Sequence, residues 1–109
     1  MERRLTAILA ADVVGYSRLM GADEAGTLTQ LKEIRGEVVD ARIAQHHGRI
    51  VKLTGDGVLA EFPSVVGAVS CAVEIQQAMR ERRAKSSDCS IEFRVGVNVG
   101  DVIVDGDGV

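Results

Sequence analysis

Aromatic residues are nearly missing from this sequence, which holds two Phe, one Tyr and no Trp in 109 residues. A surface that stacks nucleic-acid bases on aromatic rings is therefore not expected, and the core must be aliphatic. Positive charge is not in excess: 13 Lys and Arg stand against 16 Asp and Glu, a formal net charge of −3. Binding to a phosphate backbone by counterion release needs the opposite balance, so no nucleic-acid partner is expected. Cys71 and Cys89 are the only cysteines and make no C-x-x-C spacing, which gives neither a zinc site nor a disulfide framework. Both read as buried or incidental thiols. No apolar run approaches the roughly 20 residues of a membrane-spanning helix, and no signal pattern opens the chain. The sequence reads as cytoplasmic, with no membrane span. Walker P-loop, G-x-G-x-x-G and G-x-S-x-G motifs are all absent, which removes the usual NTPase, dinucleotide and hydrolase readings.

What is present is an ordinary globular balance, 46% apolar and 27% charged, at a length that suits one domain. Arg4 to Ala11 is mostly apolar and predicts a buried central strand that stops at Asp12. From Asp23 to His47 the residues Leu28, Leu31, Ile34, Val38, Val39 and Ile43 recur at helical spacing, and Gly48 follows as a left-handed stop. Arg49 to Thr54 and Val58 to Phe62 read as two strands of a hairpin joined by Gly55-Asp56-Gly57. Pro63 suits a first helical position, and Val65, Ala68, Ala72, Ile75 and Met79 trace a second buried stripe. That helix ends among Arg80, Arg82, Arg83 and Lys85, cations that suit its C-terminal dipole. Ile91, Phe93, Val95, Val97 and Val99 alternate as a strand, and Val102 to Val104 reads as a return strand after Gly100-Asp101. The order is β-α-β-β-α-β plus one strand. This predicts an α+β fold, a ferredoxin-like split βαβ sandwich whose mostly antiparallel sheet carries its helices on one face.

Two carboxylates stand out by position. Asp12 ends the first strand and Asp56 sits at the hairpin tip, and in a split βαβ sheet those strands are neighbours. Their side chains can converge at one sheet edge, where hard cations such as Mg²⁺ take one or two carboxylates plus phosphate oxygens. Asp also serves as a helix cap and a turn residue, and taken singly each would be read that way. Beside Asp12, Val13-Val-Gly-Tyr-Ser17 forms a strand-to-helix turn whose backbone N–H groups can face an anion.

The combination is more specific than its parts. Ala11-Asp-Val-Val-Gly-Tyr-Ser17, then Lys52-Leu-Thr-Gly-Asp-Gly57, then Phe93-Arg-Val-Gly-Val-Asn-Val-Gly-Asp-Val102 resemble the class III nucleotidyl cyclase catalytic domain, in order and over essentially the whole chain. The resemblance implies that Asp12 and Asp56, with the Val13 carbonyl, hold two Mg²⁺ or Mn²⁺ ions. It implies that Gly15, Tyr16 and Ser17 cradle the triphosphate and that Lys52 reads the purine. An ammonium there can donate to the unprotonated adenine N1, whereas guanine presents N–H, so Lys52 points to ATP. The implied activity is an adenylate cyclase that converts ATP to cyclic AMP and pyrophosphate, working as a homodimer with active sites at the interface.

Family members continue past the last hairpin into a helix bearing an Asn and a transition-state Arg, and this chain stops first. Residues 1–109 are thus expected to be the N-terminal part of a single catalytic domain, inactive alone, with Gly108 near the place of a second purine-reading residue. The alternative is a catalytically inactive cyclase-homology module that binds nucleotide or dimerises. A diguanylate cyclase is not supported, since no Gly-Gly-Asp/Glu-Glu-Phe hairpin is present. His46 and His47 read as helix-end residues rather than metal ligands, and Asp101, Asp105 and Asp107 as turn residues.

Overall fold

The computed structural model describes residues 2–85 and 91–104. Strand β1 (Glu2–Val13) is followed by helices α1 (Tyr16–Ala22) and α2 (Glu24–Ile34), a π turn (Arg35–Val39) and helix α3 (Asp40–Gln45). The hairpin β2 (Arg49–Leu53) and β3 (Gly57–Phe62), helix α4 (Val65–Lys85) and strand β4 (Phe93–Val104) follow among the described residues. The four strands form one sheet in the order β2-β3-β1-β4, antiparallel at every pairing. That is the α+β split βαβ arrangement expected from the sequence.

The two faces of the sheet differ. Ala7, Leu9, Ala11 and Val13 of β1, Val58, Ala60 and Phe62 of β3, and Phe93 of β4 are buried on the helix side. There they join Leu31, Ile34, Val39, Ile43, Cys71, Ile75 and Met79 in a single aliphatic core. Of the intervening residues on the opposite face, Thr6 is buried, while Ala10, Asp12, Leu59, Arg94 and Gly96 stay exposed or half-buried. Period-two alternation in the sequence thus places the carboxylate of Asp12 on the uncovered side.

Several local expectations are corrected. Strand β1 runs two residues past Ala11, because Asp12 and Val13 still pair with Arg94 and Phe93 of β4. The single helix expected over Asp23 to His47 is interrupted by the π turn. Ile34 and Val39 are five positions apart, the spacing of a π turn, and the wider turn keeps both on the buried side. Leu28 faces outward instead. The left-handed residue at the end of α3 is His47, with φ of 62°, not Gly48. Gly48 is needed for space, since a Cβ there would stand 2.5 Å from the Phe62 ring. Pro63 precedes α4 rather than opening it: Ser64 is the cap, its hydroxyl accepting from the Gly67 N–H at 3.0 Å. Val65, placed on the buried stripe, is exposed, and Cys71 takes the buried place between Ala68 and Ile75.

Strand β4 continues unbroken from Phe93 to Val104, pairing with β1 down to Glu2, so Gly100-Asp101 makes no turn and Val102 to Val104 is no return strand. Cys89, Asp105, Asp107 and Gly108 lie outside the described residues. His46 caps the end of α3 through its backbone N–H, as a helix-end residue should, while its side chain turns away, with Nε2 2.9 Å from Glu74, and ties α3 to α4. Arg82, in the basic end of α4, pairs with Glu37 at 2.8 Å.

Candidate active site

The antiparallel register of β1 and β3 sets Asp12 directly opposite Gly57, the first residue after the hairpin turn. Two backbone bonds then fix the turn. The Val13 N–H donates to the Asp56 carbonyl at 3.0 Å, and the Thr54 N–H donates to the Gly57 carbonyl at 3.0 Å. The Thr54 hydroxyl also donates to Asp56 Oδ1 at 3.3 Å. Because Gly57 has no side chain, the turn closes to within 3.0 Å between a would-be Cβ and the Ala11 carbonyl oxygen. The two acidic residues, distant in sequence, are held on adjoining backbone.

Lysine 52 reaches the same place through an irregularity. Ile50 pairs with Ala60 and Lys52 with Leu59, so Val51 is an extra residue, a β-bulge. The bulge sets Lys52 opposite Leu59, which in turn faces Ala10 across β1 on the uncovered side of the sheet. A cleft of about 330 Å³ opens there, and its lining includes Asp12, Lys52, Thr54 and Asp56. Three of the residues expected from sequence to carry the chemistry thus border one cavity.

The strand-to-helix turn is placed differently. Gly15 adopts a left-handed conformation, φ 65° and ψ 35°, and opens α1 without a side-chain cap. Gly15, Tyr16 and Ser17 do not line the 330 Å³ cleft. Tyr16 leans on the hairpin turn, its hydroxyl 3.1 Å from where a Cβ at Gly55 would project. Val13 is buried, with its N–H committed to Asp56.

One residue beside the site falls within a motif quoted from the sequence but is given no role there. Arg94 stands directly across from Asp12 in the β1–β4 register, and its Nε and Nη2 donate to Asp12 Oδ1 and Oδ2 at 3.1 and 3.2 Å. Both carboxylate oxygens are therefore engaged. The hydrogen bond first, and the negative charge second, raise the Arg94 pKa above its already high ordinary value. Strand alternation could have placed Arg94 on the uncovered face, but only the register identifies its partner.

The donor set suits a hard divalent cation. Asp12 and Asp56 are half-buried and share the cleft, and among the described residues no cluster of three or more His, Cys, Asp or Glu occurs. Two carboxylates without imidazole or thiolate is the company Mg²⁺ or Mn²⁺ keeps when substrate phosphates complete the shell.

No family model matches the chain. A curated relative, "Putative adenylate cyclase 3" of Rhizobium meliloti (strain 1021), is 52% identical over 115 residues, covering 100% of this chain and 20% of the relative. The solved adenylate/guanylate cyclase/hydrolase of Silicibacter pomeroyi superposes with a TM-score of 0.84 at 51% identity, covering 97% of this chain and 63% of that one. The guanylyl cyclase Cya2 gives a TM-score of 0.78 at 29% identity, over 95% of this chain and 58% of that one. The chain thus spans a fifth of the curated relative and less than two thirds of these solved chains. Among the described residues, no helix is long and apolar enough to cross a membrane. Its motifs, its sheet order and these likenesses agree: the chain belongs to the class III adenylate/guanylate cyclase domain family.

Proposed function

We propose that this chain supplies the metal-binding and purine-reading half of an adenylate cyclase site that converts ATP to cyclic AMP and pyrophosphate. The observation that carries the reading is the convergence of Asp12, Lys52 and Asp56 on one cleft. Asp12, Asp56 and the Val13 carbonyl are the groups that would hold two Mg²⁺ or Mn²⁺ ions. When bound, such ions neutralise phosphate charge and favour the alkoxide form of an attacking hydroxyl.

The rest is done by the chain itself. Thr54 and the Val13–Asp56 backbone bond keep the second carboxylate in place, so the site is ordered before substrate arrives. Lys52 donates to adenine N1 and so favours ATP over GTP. The backbone at Gly15 to Ser17 offers N–H groups to the phosphates. In the reaction the ribose 3′-oxygen forms a bond to the α-phosphorus as the bond to pyrophosphate breaks, and the hydroxyl proton is lost to solvent. The complete site forms across a homodimer.

A second reading, a module that binds nucleotide or dimerises without turnover, is favoured by one observation: Arg94 already engages both oxygens of Asp12. Cyclic AMP formation from ATP by the purified full-length protein with Mg²⁺ or Mn²⁺ separates the two. Turnover that disappears in Asp56→Ala, with an unchanged circular dichroism spectrum, supports the enzyme. Nucleotide binding without any turnover supports the module.

A further inference from the structure

We propose that Arg94 is a resident counter-cation that closes the Asp12 carboxylate to divalent ions, so that metal entry requires the guanidinium to let go. The inference rests on the reading of Asp12 and Asp56 as metal-holding groups and adds an element that competes with them. Three observations carry it. The pair is built into the sheet, because Asp12 and Arg94 are opposite one another in the β1–β4 register. It is bidentate, because each carboxylate oxygen takes one N–H, which leaves neither oxygen clear of positive charge although each keeps a second lone pair. It is also releasable, because the Arg94 and Asp12 side chains are 72% and 44% exposed, and exposed ion pairs are weak.

The guanidinium has somewhere to go. A second cleft, of about 270 Å³, adjoins the first and is bordered by Ala10, Asp12, Arg94 and Gly96. Nothing lies within 4 Å of where a Cβ at Gly96 would stand, and Asp12 is the only carboxylate among the described residues lining this cleft. Glu61, also on the uncovered face, has its own cation in Arg49 at 2.6 Å and does not compete for Arg94. Asp12 therefore divides two clefts, with Arg94 held on one side and the Asp56 carboxylate on the other.

An orienting strut and a competing cation predict opposite signs. If Arg94 merely props Asp12 in position, its removal weakens metal binding; if it competes, removal strengthens it. The test is Mn²⁺ alone, without nucleotide, titrated into the full-length protein and followed by the electron paramagnetic resonance signal of free Mn²⁺. We expect Arg94→Gln to bind Mn²⁺ about five- to tenfold more tightly than the unmodified protein, since a like charge is removed from a partly solvated site. Arg94→Lys, which keeps the charge but not the fork, falls between them, and Asp56→Ala loses the binding. Equal or weaker binding by Arg94→Gln, with Asp56→Ala still losing it, overturns the proposal and leaves the metal site standing. Absence of Mn²⁺ binding in every form overturns both. A measurement on the unmodified protein guards against a misfolded variant: the Arg94 Nε–H resonance should shift on Mg²⁺ addition, and an unmoved resonance at saturating Mg²⁺ refutes displacement.

Discussion

The N–H of Val13 donates to the carbonyl of Asp56 at 3.0 Å, so the last residue of β1 is bonded to the acidic residue of the hairpin turn. A local contact of the main chain, rather than side-chain packing, sets the spacing of Asp12 and Asp56. Backbone placement is stiffer than a rotamer, which suits the proposed role of the two carboxylates, whose like charges repel until a cation screens them.

Gly57 is the residue that lets this closure happen. A Cβ there would stand 3.0 Å from the Ala11 carbonyl oxygen and 3.1 Å from the Thr54 hydroxyl. The first of these atoms belongs to a central strand and has little room to retreat. Gly57→Ala is expected to cost about 1–2 kcal/mol in urea unfolding. It should also lower cyclic AMP formation by well over the factor that lost stability explains, because the two carboxylates are displaced. Full activity in the variant would mean that the turn tolerates a shift.

Lys52 owes its position to the bulge at Val51, and in the proposed function its charge is what selects the purine. Lys52→Glu replaces a donor with an acceptor opposite adenine N1. The KM for ATP is expected to rise about tenfold or more, with the ATP-to-GTP ratio of kcat/KM falling by at least as much. Thermal unfolding should barely change, since the side chain is exposed. An unaltered nucleotide ratio would remove Lys52 from purine recognition.

How legible the site was depends on how local each feature is. That Asp12 and Asp56 would lie on adjoining backbone was readable because a strand end and a hairpin turn are written in neighbouring residues and the split βαβ order makes those strands adjacent, whereas Lys52 was singled out only by the resemblance to the cyclase family. The Asp12–Arg94 pair joins residues 82 positions apart, and its existence depends on the β1–β4 register, which alternation alone leaves free by steps of two. The break in the long helix had little cue, because Val38 and Val39 are both apolar and both buried, so the pattern fits a four-residue step from Ile34 as well as a five-residue one. A period of 3.6 absorbs such a step when the window is long, and so the π turn was passed over. At the end of α3 a glycine was given the left-handed conformation by its usual preference. The fold uses His47 instead, because Gly48 is committed to packing under Phe62.

That packing gives its own prediction. A methyl group at residue 48 would come within 2.5 and 2.8 Å of Phe62 ring carbons and 2.9 Å of Ile43 Cγ2. Phe62 is 1% exposed and Ile43 2%, so neither can swing away cheaply. Gly48→Ala is expected to lose about 1–3 kcal/mol in denaturant unfolding, while Gly21→Ala, on α1 with nothing within 4 Å, should lose nothing. Equal stability of the two variants would show that the core around Phe62 yields.

The pH dependence of stability should carry a signature of Cys71. This thiol is fully buried on α4, and burial first, then the negative charge of Glu74, push its pKa up to about 11, with Arg42 opposing. Below pH 8 the thiol is protonated in both folded and unfolded chains and adds no pH dependence. Between about pH 9 and 11 the unfolded chain releases the proton while the folded chain keeps it, so the unfolded state binds fewer protons and stability falls as pH rises. Cys71→Ala removes this term at the cost of a small cavity, about 1 kcal/mol and independent of pH. The advantage of the unmodified protein over Cys71→Ala is therefore expected to shrink by about 2 kcal/mol between pH 8 and 11, measured by urea unfolding under reducing conditions. A gap that stays constant across that range would mean that the folded protein lets the thiolate form as readily as water does, which a side chain with no exposed surface does not allow.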